Sequence, residues 1–174
     1  VAVRDVKKSL RDEALVDFLF STGVRVGELA AMDISNVDFA AGTVTFRGEK
    51  SDRFRTVILD ARAKRHLGAY LNSRADNNPA LFVTERLYDG QPRRLKKDAI
   101  ENITKAVGRA AGLHKVLTVH VFRRTLATRL ADKECPLEVI QEILGHRSPT
   151  TTKRYVAKNV TRIRRQAVRY MDAA

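Results

Sequence analysis

The sequence predicts a mainly α-helical protein with a small antiparallel β-sheet, which is an α+β fold class. Apolar residues recur at helical spacing in several stretches that open on a capping residue and close on glycine. Two short runs, 43–47 and 55–59, alternate polar and apolar residues on either side of a polar turn. Helices therefore form most of the framework, and one hairpin interrupts them.

Size and composition indicate a single soluble domain. The chain has 174 residues, 44% of them hydrophobic, which favours one domain over residues 1–174 with a core of its own. A lone cysteine, Cys135, excludes an internal disulfide framework and fits a reducing compartment. No run approaches the roughly 20 apolar residues that cross a bilayer. We expect a cytoplasmic protein with no membrane partner and no targeting signal.

The charge balance points to a polyanionic partner. Thirty-three Lys and Arg residues against twenty Asp and Glu residues give a net charge of +13 and a pI near 10.4. Nucleic acid is the first candidate, and a ribosomal or merely soluble basic protein is the alternative on charge alone. The chain begins with Val1 rather than Met, so we expect a fragment or a processed chain.

The first two helices place an arginine at a turn. Ser9 is predicted to cap a helix that Gly23 ends, and the next helix begins near Arg25. Glu28 follows one helical turn later and can pair with that arginine. From spacing alone, Arg25 is either a surface arginine paired with Glu28 or a functional group at the mouth of the turn.

The middle of the chain alternates strands, loops and helices. Lys50 lies in the turn of the predicted hairpin, where most lysines are simply solvated. A helix follows Asp60, and 81–83 is a short extended run that could add a third strand. We interpret 86–97 as a basic loop that lies along a phosphate backbone or is a solvated surface. A helix over 98–110 follows.

The stretch from His120 onward carries the most distinctive side chains. His120 and Arg123 are three residues apart, so one helical turn would hold both. Pro136 is predicted to open a second helix that Gly145 ends, and His146 follows that stop directly.

A third short helix is predicted from Ser148, with Tyr155 about two turns in, and a last one from Asn159. Without further information, the favoured interpretation of His120 is a core histidine, that of His146 is a histidine at a helix C-terminus, and that of Tyr155 is an ordinary aromatic. The histidines show no metal-ligand spacing, so we expect no metal site.

Taken together, these motifs resemble the tyrosine recombinases, the lambda-integrase-type site-specific DNA recombinases. The sequence T-G-V-R-V-G-E-L from Thr22 resembles the family's first arginine box. The sequence G-E-K-S-D-R-F-R-T-V-I-L from Gly48 resembles its hairpin with the catalytic lysine, and 120–155 resembles its C-terminal signature. The resemblance spans nearly the whole chain in the family's order, and it implies the fold of a tyrosine recombinase catalytic domain.

This resemblance implies a function and a set of roles. The enzyme would recombine or integrate double-stranded DNA through a covalent 3′-phosphotyrosyl intermediate, without cofactor or metal, as a homo-oligomer (a tetramer) on bacterial or archaeal DNA. An N-terminal core-binding domain has no counterpart here, and the tail 157–174 would dock onto a neighbouring protomer. The implied catalytic residues are the phosphate-binding Arg25 and Arg123, the general acid Lys50, the general base His120, the hydrogen-bond donor His146 and the nucleophile Tyr155. Arg53 and Arg55 are alternatives to Lys50, because the sequence reads G-E-K where the family more commonly has G-K-G.

Two other interpretations stay open. Residues 125–144, two helices with a short break, could be a helix-turn-helix of a non-catalytic DNA-binding module. A type IB topoisomerase-like enzyme would share the chemistry and relax supercoils without choosing a site. The arginine and lysine boxes and the spacing of Tyr155 favour the recombinase over the binding module, because groove binding requires none of them.

Overall fold

The computed structural model describes residues 2–6, 8–49 and 54–145, and it confirms the predicted fold class. The helices are α1 (Ala2–Asp5), α2 (Leu10–Thr22), α3 (Val26–Ala31), α4 (Ala61–Asn72), α5 (Lys97–Ala110), α6 (Val119–Asp132) and α7 (Leu137–Leu144). The strands are β1 (Val37–Asp38), β2 (Thr43–Arg47), β3 (Phe54–Ile58), β4 (Val83–Tyr88) and β5 (Gln91–Arg94). A 3₁₀ turn spans Ile34–Asn36.

The first long helix, α2, begins and ends where its capping residues predict. The Ser9 hydroxyl accepts a hydrogen bond from the Asp12 N–H at 3.3 Å. Gly23 follows the helix with a left-handed φ of 57°, and its N–H donates to the Leu19 carbonyl at 3.1 Å. Only glycine adopts that conformation without a steric penalty. The sharp turn from α2 into α3 is therefore fixed by Gly23.

Strands β1, β2 and β3 form an antiparallel sheet in that order, which confirms the predicted hairpin. Val44 and Phe46 on β2 and Val57 on β3 face the core. Phe46 lies directly opposite Arg55 in the register. Residues 50–53, which follow β2 and precede β3 in the chain, lie outside the described residues, and Lys50 is one of them.

The prediction of a basic loop over 86–97 is wrong. Strands β4 and β5 pair in a second antiparallel hairpin, and α5 already begins at Lys97. Asp89 and Gly90 form the turn with φ values of 53° and 76°. Positive φ at both central residues is typical of the tight turns that match the twist of a hairpin.

The chain divides into two compact units, residues 1–123 and 124–174. The first unit has a core in which Phe18 meets the Phe82 ring edge-on at 5.9 Å, while Tyr70 stacks on Phe82 at 5.5 Å. The described part of the second unit has a smaller core of Ala127, Ala131, Ile140 and Leu144. Each unit thus has its own buried apolar cluster.

Helix α7 agrees with the predicted boundaries to within one residue. Pro136 is the residue before the helix, and Gly145 ends it with a left-handed φ of 60°. The helices predicted from Ser148 and Asn159 lie outside the described residues. Among the helices that the structure describes, none has the length and apolar character needed to span a bilayer.

Candidate active site

Arg25 lies at the start of α3, held by a glutamate one turn later. Its backbone N–H donates to Glu28 Oε2 at 2.7 Å, and its Nη1 donates to Glu28 Oε1 at 2.9 Å. The glutamate therefore caps the helix and binds the arginine side chain at once. This is the pairing that the spacing predicts.

A second arginine binds the same carboxylate. Arg55 on β3 donates from Nη2 to Glu28 Oε2 at 2.8 Å, and its guanidinium lies 4.8 Å from the centre of the Phe46 ring. The Glu28 side chain is 0% exposed, and that of Arg55 is 10% exposed. Burial lowers the pKa of Arg55, Glu28 opposes that change, and Arg25 adds to it.

The sequence identifies Arg55 only as an alternative to Lys50, and the pairing of Arg55 with Glu28 was not predicted. Strand alternation carries the signal, because residues two apart on a strand share a face. Val57 is a core residue, so Arg55 is expected to point inward as well. An inward arginine requires a buried acceptor, and Glu28 supplies it.

Arg123 reaches the same turn from a distant part of the chain. It lies on α6, is 5% exposed, and donates from Nη1 to the Gly23 carbonyl at 2.8 Å. Consecutive Cα atoms are about 3.8 Å apart, so the Cα atoms of Gly23 and Arg25 lie within about 7.6 Å. The structure thus brings Arg123 to the turn that leads into Arg25, although a hundred residues separate Arg123 from Gly23.

His120 lies in the first turn of α6, three residues before Arg123, and its side chain is exposed. Helical geometry places residues at this spacing on neighbouring positions of one face, as predicted. Lys50, His146 and Tyr155 lie outside the described residues.

A separate ionic cluster connects α2 and α4. Within the described ranges, the side-chain ligand atoms of Glu13, Asp17 and His66 lie close enough to one another to hold a metal ion. However, Arg4 and Arg62 pair with the two oxygens of Asp17 at 2.8 and 3.0 Å. Two cations on the central carboxylate favour a structural ion-pair network over a metal site.

The electrostatics of the turn between α2 and α3 suit an anion. Among the described residues, Arg25 and Arg55 bind the carboxylate of Glu28, and Arg123 binds the Gly23 carbonyl of the same turn. Arginine presents a planar fork of N–H donors that matches the oxygens of a phosphate. An excess of fixed positive charge in this geometry can bind one phosphate group and stabilise charge that develops on it.

Comparison with known proteins identifies the family of the chain. The phage integrase family model matches residues 2–162. The tyrosine recombinase XerA of Pyrococcus furiosus is 34% identical over 149 residues, which cover 86% of this chain and 51% of XerA. The chain therefore spans about half the length of that relative.

Solved structures have the same fold. The crystal structure of a XerA recombinase superposes with a TM-score of 0.78 at 34% identity, over 93% of this chain and 58% of that one. A XerH site-specific recombinase bound to palindromic difH substrate gives a TM-score of 0.76 at 24% identity, over 98% of this chain and 50% of that one. From the family match and the similarity to XerA, the chain belongs to the phage integrase family.

Proposed function

We propose that residues 1–174 are the catalytic domain of a tyrosine recombinase, which cuts and rejoins double-stranded DNA at specific sites. The observation that carries this proposal is the contact of Arg123 with Gly23, two residues before Arg25. The resemblance assigns both arginines to one phosphate, and that assignment requires them at the same place. The tyrosine recombinase name of the Pyrococcus relative supports the same activity.

In this proposal the arginines bind the scissile phosphate. Arg25 and Arg123 each grip non-bridging oxygens and stabilise the charge that builds up as a fifth oxygen approaches phosphorus. Glu28 holds the Arg25 guanidinium in place before DNA arrives. Such preorganisation matters because a misplacement of about 1 Å can slow a reaction roughly 100-fold.

Tyr155 is the proposed nucleophile. A phenol has a reference pKa near 10, so ionising it at pH 7 costs about 4 kcal/mol. Cations close to the phenol reduce this cost, and His120 accepts its proton as the general base. The product is a 3′-phosphotyrosyl link that keeps the phosphodiester energy, so rejoining needs neither ATP nor metal.

Lys50 and His146 complete the proposed site. Lys50 acts as the general acid that protonates the leaving 5′-oxygen, which is a poor leaving group without a proton. His146 donates a hydrogen bond to a phosphate oxygen. Both roles come from the resemblance, and both residues lie outside the described ranges.

Double-stranded DNA is the proposed partner. The net charge of +13 provides the long-range attraction to a phosphate backbone. The XerH recombinase of the same fold is bound to its difH DNA substrate. We further propose that the protein acts as a homo-oligomer (a tetramer), in which the tail 157–174 docks onto a neighbouring protomer.

The deciding test is covalent capture of DNA. The protein is incubated with a pool of nicked 30-base-pair duplexes of randomised sequence, and adducts that survive denaturation are amplified over several rounds. We expect the wild type to enrich one sequence class. The variant Tyr155→Phe should form no adduct, and Arg123→Ala should lose cleavage because the phosphate loses a fixed cation.

A matched control is Tyr88→Phe, because Tyr88 lies on β4 and is 37% exposed. This variant removes a phenolic hydroxyl outside the proposed site and should form adducts like the wild type. A wild-type protein that binds the pool in a salt-dependent manner but forms no adduct would instead be a non-catalytic DNA-binding module. Adducts that form equally on all sequences would favour the topoisomerase-like alternative.

A further inference from the structure

The side chain of Glu49, just after β2, lies close to two helices. Glu49 follows that strand, and its Oε1 accepts a hydrogen bond from Lys97 Nζ at 2.6 Å. Lys97 is the first residue of α5. Both side chains are partly exposed, at 34% for Glu49 and 55% for Lys97. A surface ion pair of this kind adds little to stability.

The same carboxylate lies against the first turn of α3. A Cβ atom built on Gly27 would be 2.2 Å from Glu49 Oε1 and 2.4 Å from its Cδ. Real Cβ atoms essentially never approach another heavy atom within 3.0 Å. The Glu49 carboxylate therefore occupies space that is available only because residue 27 has no side chain.

This glycine is not required by the backbone. Gly27 lies inside α3 and is not among the residues with positive φ. In a helix, glycine is less favourable than alanine because it loses more conformational entropy on folding. A methyl group at residue 27 would therefore displace the carboxylate end of the flexible Glu49 side chain.

The contact joins two parts of the proposed active site. Gly27 is two residues after Arg25, and Glu49 immediately precedes Lys50 in the chain. We propose that Glu49 is a positioning residue for Lys50. Its carboxylate, held between Gly27 and Lys97, fixes the start of the β2–β3 turn beside the helix that begins at Arg25.

This inference rests on the proposed function, and it specifies one step of the reaction. In cleavage, the Tyr155 oxygen bonds to phosphorus and its proton passes to His120. The bond from phosphorus to the 5′-oxygen breaks, and that oxygen takes a proton from the Lys50 ammonium. A displaced turn would slow proton delivery to the leaving oxygen and leave the phosphate grip of Arg123 unchanged.

The test replaces the leaving oxygen by sulfur. A thiol has a reference pKa near 8.5, far below that of an alcohol, so a 5′-bridging phosphorothiolate leaves without a proton. The substrate is the nicked duplex enriched by covalent capture, made with oxygen or with sulfur at that position. We expect Gly27→Ala and Glu49→Gln to slow single-turnover cleavage of the oxygen substrate by about tenfold or more. Both variants should cleave the sulfur substrate within about twofold of the wild type.

Matched variants isolate the cause. Gly68→Ala adds the same methyl group inside α4, where the nearest atom is Phe39 Cε1 at 4.0 Å, an ordinary contact. It should cleave both substrates like the wild type. Lys50→Ala should be slow on oxygen and restored by sulfur, whereas Arg123→Ala should be slow on both. The double variant Lys97→Gln with Glu49→Gln should cleave the oxygen substrate no more slowly than Glu49→Gln alone, because both substitutions remove the same contact between Lys97 and Glu49.

Two results would overturn the inference while leaving the recombinase proposal intact. One is wild-type cleavage of the oxygen substrate by both Gly27→Ala and Glu49→Gln. The other is an equal loss on oxygen and sulfur substrates, which would mean that Glu49 does not act through protonation of the leaving group. Absence of any adduct from the wild type would instead overturn the proposed function, and this inference with it.

Discussion

Replacing Glu28 by alanine should destabilise the protein strongly, because two arginines depend on its carboxylate. Among the described residues, Glu28 accepts hydrogen bonds at 2.7 Å from the Arg25 N–H, 2.9 Å from Arg25 Nη1 and 2.8 Å from Arg55 Nη2. The side chains are 0% exposed for Glu28, 27% for Arg25 and 10% for Arg55. Arg25 can rehydrate after the substitution, whereas Arg55 is largely buried and would lose the carboxylate to which its Nη2 donates.

Removing one partner of a buried ion pair typically costs about 3–5 kcal/mol. In a domain of this size, each kcal/mol lowers the melting temperature by roughly 2–4 °C. We therefore expect Glu28→Ala to melt about 6–20 °C below the wild type. Urea titration followed by circular dichroism measures the free energy directly, and a thermal scan gives the melting temperature.

The control for this experiment is Glu101→Gln on α5. Glu101 is 42% exposed and pairs with Lys105 at 3.6 Å, so its loss should change stability by no more than about 0.5 kcal/mol. The double variant Glu28→Ala with Arg55→Met should be more stable than the sum of the single effects, because the second change removes the buried arginine that has lost the Glu28 carboxylate. A loss for Glu28→Ala no larger than for Glu101→Gln, or strict additivity in the double variant, would refute the reasoning.

Three further substitutions test other contacts. Gly23→Ala should lose about 1–2 kcal/mol in urea titration, because alanine is strained at a φ of 57°, and an unchanged midpoint would contradict this. Asp17→Asn should lose about 2–3 kcal/mol by the same measurement, and a loss below about 0.5 kcal/mol would count against a network with Arg4, Arg62 and His66. A hydrogen bond from Arg74 lowers the pKa of Asp76 below its ordinary 3.8. The stabilisation by Asp76 is therefore present above that ordinary pKa and lost as pH falls through the lower, folded one. The stability difference between wild type and Asp76→Asn should be full at pH 7 and shrink below about pH 4, and a difference that grows in acid would have the wrong sign.

The helices could be predicted from sequence because their ends follow local rules. Ser9, Asp60 and Gly145 each act within about one turn of their own position, so the neighbouring residues are sufficient to predict these helix ends. The hairpin of β2 and β3 is similarly local, since alternating residues flank a short turn. Such features need no knowledge of the rest of the fold.

The second hairpin was missed because its strands lack an alternating apolar pattern. On β4, Val83 is buried and the residues from Glu85 to Tyr88 are exposed, so periodicity gives no strand signal. A local signal was nevertheless present in the dipeptide Asp89–Gly90, since Asp-Gly is favoured where both turn residues have positive φ. The arginines and lysines on either side of this dipeptide are typical of a solvated loop, which is why the composition favours a loop prediction.

The candidate site could be predicted in part, for a related reason. The pairing of Arg25 with Glu28 lies within one helical turn, and the spacing alone indicates it. The contact of Arg123 with Gly23 crosses a hundred residues, and no local rule relates the two. Only the resemblance, which assigns Arg25 and Arg123 to one phosphate, predicts that Arg123 lies near the turn before Arg25.

Two acidic side chains lie at a site that is proposed to bind a phosphate, and their positions explain why the site tolerates them. A free carboxylate would repel DNA, but Glu28 has guanidinium groups on both oxygens and Glu49 is bound by Lys97. Each pair lowers the positive charge of the region, so it weakens general attraction to DNA. The pairs of Glu28 hold the start of α3 at Arg25. In our proposal, the pair of Glu49 with Lys97 holds the chain just before Lys50. Because stabilisation of a transition state depends on the placement of charge more than on its amount, fewer cations in fixed positions suit catalysis better than many mobile ones.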